Sequence, residues 1–154
     1  MKHLTYKMLA IAIVLATVAV GEIAAKRIVV PKMYMFGFAA SFNDTIVHFT
    51  DVQEVEAAWV DSKSDFLLGR ESYSLQLKQY LGRKENLPYR TCTIVYHLDR
   101  EKLEKKYVKM KKLYTHSKDG KPHFDVRYLN ASDFRFEAVD MRQEMEEVEP
   151  EVSE

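Results

Sequence analysis

The stretch Met33–Thr50, MYMFGFAASFNDTIVHFT, decides how this chain is read. From Met33 to Phe42 nearly every position is apolar or aromatic, and from Thr45 to Thr50 β-branched and aromatic residues dominate, a composition suited to a pleated surface. Asn43-Asp44 between them tolerates the positive φ of a tight turn, so the stretch predicts two antiparallel strands. A strand that is apolar at almost every position is expected to be covered on both faces. Gly37 within it marks a bulge or a close approach by another part of the chain.

Moving outward, Asp51 to Val60 reads two ways. Val52, Val55 and Trp59 fit a helical stripe, but the preceding residues favour a strand end followed by irregular structure. From Ser72, a suitable N-cap, the residues Tyr73, Leu77, Tyr80 and Leu81 recur at helical spacing up to Gly82, the expected stop. Thr91 to His97 is a strand, with Cys92, Ile94 and Tyr96 on one face and Thr93, Val95 and His97 on the other. Asp99 caps a second helix with the apolar stripe Leu103, Tyr107, Met110 and Tyr114, which Lys118-Asp119-Gly120-Lys121-Pro122 ends. Phe124, Val126 and Tyr128 then alternate with Asp125 and Arg127 as a half-buried strand, which Phe134 and Phe136 extend. The order β-β-α-β-α-β predicts a single α+β domain, residues 32–140, with a mixed or antiparallel sheet and two helices packed on one face.

Before this domain, Lys2 and Lys7 precede the apolar run Met8 to Val20, interrupted only by Thr17, the pattern of a secretory signal peptide. The run would span about 20 Å as a helix, short of the roughly 30 Å that a membrane crossing needs, so cleavage is favoured over anchoring. Ala19 and Gly21 suit a cut after residue 21, with a second cut available after Ala25. Residues 22–31 then read as a leader, in which Ile28-Val29-Val30-Pro31 is a linker or an edge strand interrupted by proline. Residues 141–154 carry an acidic run without a core-forming period and are expected to be a disordered tail.

Composition narrows the function classes. With 154 residues, 47% hydrophobic and 30% charged, the chain is too short for two ordinary domains and too apolar for wholesale disorder. A single Cys excludes an internal disulfide, and no Cys/His cluster has the spacing of a zinc site. The 23 basic and 23 acidic residues cancel, and removal of Lys2 and Lys7 with the signal leaves a slight acidic excess. Neither balance points to a nucleic-acid partner. No Gly-rich phosphate loop, nucleophile elbow or paired-acid signature points to a cofactor or a reaction.

The charge is nonetheless unevenly placed. Arg100 to Lys121 holds nine Lys or Arg against Glu101, Glu104 and Asp119. Lys102, Lys105, Lys106, Lys109 and Lys112 make a candidate anion-binding face for acidic polysaccharide, lipopolysaccharide or membrane phosphate. The competing reading is a solvated helix face, and a third is screening by the acidic residues of Glu137 to Glu154. Cys92, mid-strand, reads as core rather than nucleophile. His48 and His97 would form a metal site only by converging from two strands. Asp51, Glu54 and Glu56 supply carboxylates that a surface turn explains equally well. Asn43-Asp44-Thr45 and Asn130-Ala131-Ser132 are N-glycosylation triplets, relevant only in a eukaryotic secretory pathway. Clustered aromatics in the first hairpin are core or, where exposed together, a binding surface.

The run Met33 to Thr45, with Phe49-Thr50-Asp51 and Asp133-Phe134-Arg135-Phe136, resembles small exported proteins of unassigned function from Bacteroides-type bacteria. The resemblance implies residence in the periplasm or envelope of a Gram-negative cell. It also makes Asp44-Thr45-Ile46 similar to the O-glycosylation triplet of that lineage, with Thr45 the acceptor. The reading that follows is an exported, non-enzymatic binding or accessory protein contacting an envelope protein or anionic glycan, without a membrane span once the signal is removed. The alternatives are a small secreted hydrolase with its site on the loops after Thr50 and around Thr91 to Asp99, and a structural subunit of an envelope assembly.

Overall fold

The computed structural model describes residues 26–116, 120 and 123–142. The signal peptide, both of its cuts and all but the first two residues of the acidic tail lie outside them.

Five strands and two helices alternate as β1 (Arg27–Ala40), β2 (Ile46–Thr50), β3 (Gln53–Asp61), α1 (Arg70–Lys84), β4 (Thr91–His97), α2 (Arg100–Thr115) and β5 (Asp125–Leu129). This is a single α+β domain with a mixed sheet. It follows the expected order, with β3 as one strand more between β2 and α1.

β1 organises the sheet. Tyr34 pairs with His97 on one side and Glu54 on the other, while Phe38 pairs with Thr93 and Phe49. β4 therefore lies along one edge of β1, and β2 and β3 follow each other along the opposite edge, all antiparallel to it. β5 adds parallel to the outer edge of β2. Between the β3 and β2 ladders the register shifts, because Met35 pairs with Gln53 but Phe38 with Phe49. Two residues of β1 thus face three of the partner strand, which is a bulge. Gly37 sits there and donates its backbone N–H to Thr50 Oγ1 at 2.9 Å.

The helices flank opposite faces of the sheet, not one face as the element order suggested. Met33, Met35, Ala39, Val55 and Ile94 pack with Tyr73, Leu77 and Leu81 of α1. Phe36, Phe38, Val47 and Phe49 pack with Leu103, Tyr107, Met110 and Tyr114 of α2. The reason is in β1 itself: consecutive strand residues point to opposite faces, so an all-apolar strand needs cover on both. On the α2 face the cover is aromatic, with Tyr107 edge-on to Phe36 at 4.9 Å and Tyr114 4.8 Å from Phe38. Leu103 is fully buried at its centre, so Leu103→Ala removes contacts worth about 2–5 kcal/mol.

Three boundaries differ from the sequence reading. The leader residues 27–31 belong to β1, paired with β3 from Arg27↔Asp61 to Val30↔Ala58. Pro31 is tolerated because it stands opposite Ala57, whose φ of 55° interrupts the regular extended backbone there. Side chains of both strands change face across this pair: Val30, Ala58 and Val60 join the same core as Met33 and Val55. Helix α1 starts after Gly69 rather than at Ser72, whose N–H donates to the Gly69 carbonyl at 3.0 Å. It passes Gly82 and stops where Asn86 takes a positive φ of 54°. Finally, Met141 is buried against Gly69, so the packed chain runs one residue into the expected tail.

The segment after β5 is not a strand. Gln53 holds it from the core, donating to the Phe134 carbonyl at 2.9 Å and accepting the Phe136 N–H at 3.0 Å. Both phenylalanine rings thereby seal the α1 face, at 4.8 Å from each other.

Candidate functional site

α2 supplies the charged surface. Asp99 caps it, its carboxylate accepting the Lys102 N–H at 3.1 Å. With Leu103, Tyr107, Met110 and Tyr114 turned to the sheet, the 3.6-residue period sends Lys105, Lys109 and Lys112 outward one turn apart, around a half-exposed Val108. Glu101 and Glu104 border this face. Glu104 is taken by Arg100 at 2.8 Å, and no ion pair engages Lys105, Lys109 or Lys112 among the described residues. Of the five lysines picked out in the sequence, Lys106 also borders the cleft at the C-terminal end of β4, and Lys102 lies one turn before Lys105, its backbone N–H given to Asp99.

Lys106 borders a cleft of about 520 Å³ with Ser64, Asp65, Phe66, Tyr96 and His97. Arg70, the first residue of α1, crosses this cleft, its guanidinium 5.1 Å from the Phe66 ring centre and 5.8 Å from that of Tyr96. Stacking between two rings suits the weakly hydrated, planar guanidinium. Beyond Arg70 a second hollow of about 470 Å³ follows β4 past Thr93, Cys92 and Thr91, with Glu71, Lys78 and Arg90 along it. Arg70, Lys78 and Arg90 did not stand out in the sequence, because α1, which carries the first two, and the residue before β4 meet only once the helix has packed beside that strand.

Arg90 is buried and spent on structure. It grips the Asp44 carboxylate at 2.7 and 2.8 Å and donates to the Ile46 carbonyl at 2.9 Å. The hydrogen bonds from Arg90 hold the Asp44 carboxyl below the usual range. Thr45, the O-glycosylation candidate, is exposed in the same turn, while Asp44 before it is engaged by Arg90 and by the Ile46 N–H at 2.9 Å.

The remaining sequence candidates do not assemble. Burial pushes the Cys92 thiol up to about 11, which keeps it protonated and poorly nucleophilic at neutral pH. His48 pairs with Ala39 and His97 with Tyr34, five residues apart along β1 and on opposite faces, so the two imidazoles do not converge. His48 is buried with neither ring nitrogen hydrogen-bonded, and desolvation lowers it to about 4. Asp51 accepts the Ala131 N–H at 3.0 Å, and Glu54 pairs with Lys32 at 2.7 Å, so both serve the fold. His97 shares its cleft with one acid, Asp65, and its Nδ1 accepts the Asp99 N–H at 2.8 Å. No group of three metal-ligating side chains occurs among the described residues, and no helix among them is long and apolar enough to cross a membrane.

The chain matches no known family, no characterised protein and no solved structure.

Proposed function

We propose that this is an exported, non-enzymatic binding or accessory protein of the bacterial cell envelope, whose outward α2 face contacts an anionic ligand or an acidic protein surface. The observation that carries the reading is the row Lys105, Lys109 and Lys112, one turn apart and free of ion pairs among the described residues. Three cations on a rigid helix held by an aromatic core present a fixed charge spacing, which lowers the ordering cost of binding. Export is supported by Lys2, Lys7 and the apolar run Met8 to Val20, and a Gram-negative periplasm by the resemblance to small exported Bacteroides proteins. The test is a crosslinked capture of tagged protein from its native cells, with mass spectrometry of the partners and of the bait's N-terminus. A bait starting at Glu22 or Lys26 with envelope partners, lost on Lys105→Glu/Lys109→Glu, supports the reading. An intact Met1 with cytosolic partners contradicts it.

A second reading, a structural subunit of an envelope assembly, draws on β4. Its seven residues include no Lys, Arg, Asp, Glu or proline, the usual protections of a sheet edge, and among the described residues it pairs with β1 alone. Thr93→Lys, at an exposed position, would break such an assembly in light scattering while leaving anion binding intact.

A further inference from the structure

One side of β4 has no neighbouring strand. Among the described residues it pairs with β1 alone, so every second residue turns its backbone N–H and C=O away from the sheet. The two hollows described above follow this strand, one past Thr91, Cys92 and Thr93 and the other past Ile94, Tyr96 and His97, and Arg70 lines both. Together they make a trough as long as β4.

The trough holds unspent cations. Arg70 makes no hydrogen bond or ion pair among the described residues, and its Nε is buried without a partner. Lys78 stands on the α1 side and Lys106 on the α2 side, both exposed and outside any ion pair among the described residues. Arg90 is spent on Asp44, and the acids present are Asp65 and Glu71, so the free cations outnumber the acids three to two.

The chain itself is led to this trough. After Phe136 it runs along α1 toward the helix N-terminus. Gln76 exchanges two hydrogen bonds with the Glu137 backbone at 2.9 Å, the Val139 N–H donates to the Tyr73 hydroxyl at 3.2 Å, and Met141 packs on Gly69, the residue before Arg70. Residues 143–154, outside the described residues, hold six Glu and no Lys or Arg. Extended, this segment reaches up to about 40 Å, whereas β4 covers roughly 23 Å.

We propose that residues 143–154 add as a further strand to the outer edge of β4, their Glu carboxylates meeting Arg70 and Lys78 on the α1 side and Lys106 on the α2 side. Side chains of a strand alternate between faces, and the acids supply both: Glu144 and Glu146 on one, Glu147, Glu149 and Glu151 on the other. Pro150 has no N–H to donate, which suits a strand that ends the sheet. The tether favours this occupant over a peptide of another protein or a second copy, because it sets a local concentration on the order of millimolar. The inference is separate from the outward face of Lys105, Lys109 and Lys112, and it makes β4 open to assembly only once the acidic segment is displaced.

The experiment is amide hydrogen exchange of the full-length protein, as processed by its cells, followed by NMR at two protein and two salt concentrations. A chain ending at Arg142 gives the uncovered reference. The β4 amides that do not bond to β1 are expected to exchange at least about tenfold more slowly in the full-length protein than in that reference. Changing Glu144, Glu146, Glu147, Glu149, Glu151 and Glu154 to Gln should remove the protection, as should high salt. Lys78→Gln/Lys106→Gln should weaken it with unchanged thermal unfolding, since both side chains are exposed. Lys105→Glu/Lys109→Glu should leave β4 exchange as it is, which separates this result from the test of α2. Equal exchange in the full-length and shortened chains would overturn the inference. So would protection that survives the Glu→Gln changes, or protection that grows with protein concentration, the mark of a second copy on the edge.

Discussion

The guanidinium of Arg90 closes a two-point contact on the carboxylate of Asp44, 46 residues away in sequence, at 2.7 and 2.8 Å. The arginine side chain is 2% exposed and the aspartate 38%, so the pair straddles the protein surface and joins the β1–β2 turn to the start of β4. Arg90→Leu removes three hydrogen bonds from a buried site and is expected to cost about 1–3 kcal/mol, read as a lower midpoint in urea. Because the folded Asp44 carboxyl titrates below its unfolded value, its contribution is complete above that unfolded value and is lost as pH falls through the folded one. Asp44→Asn should therefore flatten the acid limb of the stability profile below about pH 4.

His48 acts in a different window. Its folded value of about 4 lies below the ordinary 6.5, so the unfolded chain binds the extra proton and stability declines as pH falls from about 6.5 to about 4. The causes are burial first, then the positive charges of Arg90 and Arg127, with Asp125 and Asp44 opposing them. His48→Leu removes two buried nitrogens that have no hydrogen-bond partner, and should raise stability at neutral pH by about 1 kcal/mol while abolishing the slope in that window. Urea midpoints at pH 7 and pH 5 for the two proteins check both effects.

A Cβ at Gly37 would stand 2.6 Å from Leu77 Cδ2, 3.1 Å from the Phe136 ring and 3.2 Å from Thr50 Cγ2. Leu77 and Thr50 are almost fully buried, so neither can swing into solvent, and Gly37→Ala is expected to cost about 1–3 kcal/mol. Leu77→Ala on the same chain vacates the closest contact. The double variant should lose less than the sum of the single losses, and strict additivity would show that α1 does not press on the bulge.

Cys92 offers a probe of chemistry. A thiol held up at about 11 rather than 9 carries roughly a hundredfold less thiolate at neutral pH, before any steric protection is counted. Iodoacetamide should label the native protein at least about a hundredfold more slowly than the chain in guanidinium. Equal rates would mean an accessible, activated thiol and would revive the enzyme alternative.

Periodicity made most of this architecture legible. The all-apolar β1 announced two covered faces, Asp99 and the Leu103 stripe set α2, and Thr91–His97 alternated cleanly. The third strand was hidden because its alternation changes phase at Ala57, where a non-glycine residue takes a left-handed φ and the burial pattern slips by one. Pro31 disguised the matching half of β1 in the same way. In the site, the lysine row of α2 is a local pattern and was visible, while the place of Lys106 on the cleft beside β4 was not. The Arg90–Asp44 clamp and the contact of Arg70 with Tyr96 join residues far apart in sequence, and no local pattern encodes them.

The anion-binding face proposed for α2 is open to a direct check. Its most direct test is titration of the protein with dextran sulfate at rising salt, comparing wild type with Lys105→Glu/Lys109→Glu/Lys112→Glu. These side chains are exposed and free of ion pairs among the described residues, so folding should be unaffected and can be verified by circular dichroism. Wild-type affinity is expected to fall with salt, and the variant to lose at least about tenfold. Equal affinities for the two proteins, or no binding by either at low salt, would contradict it.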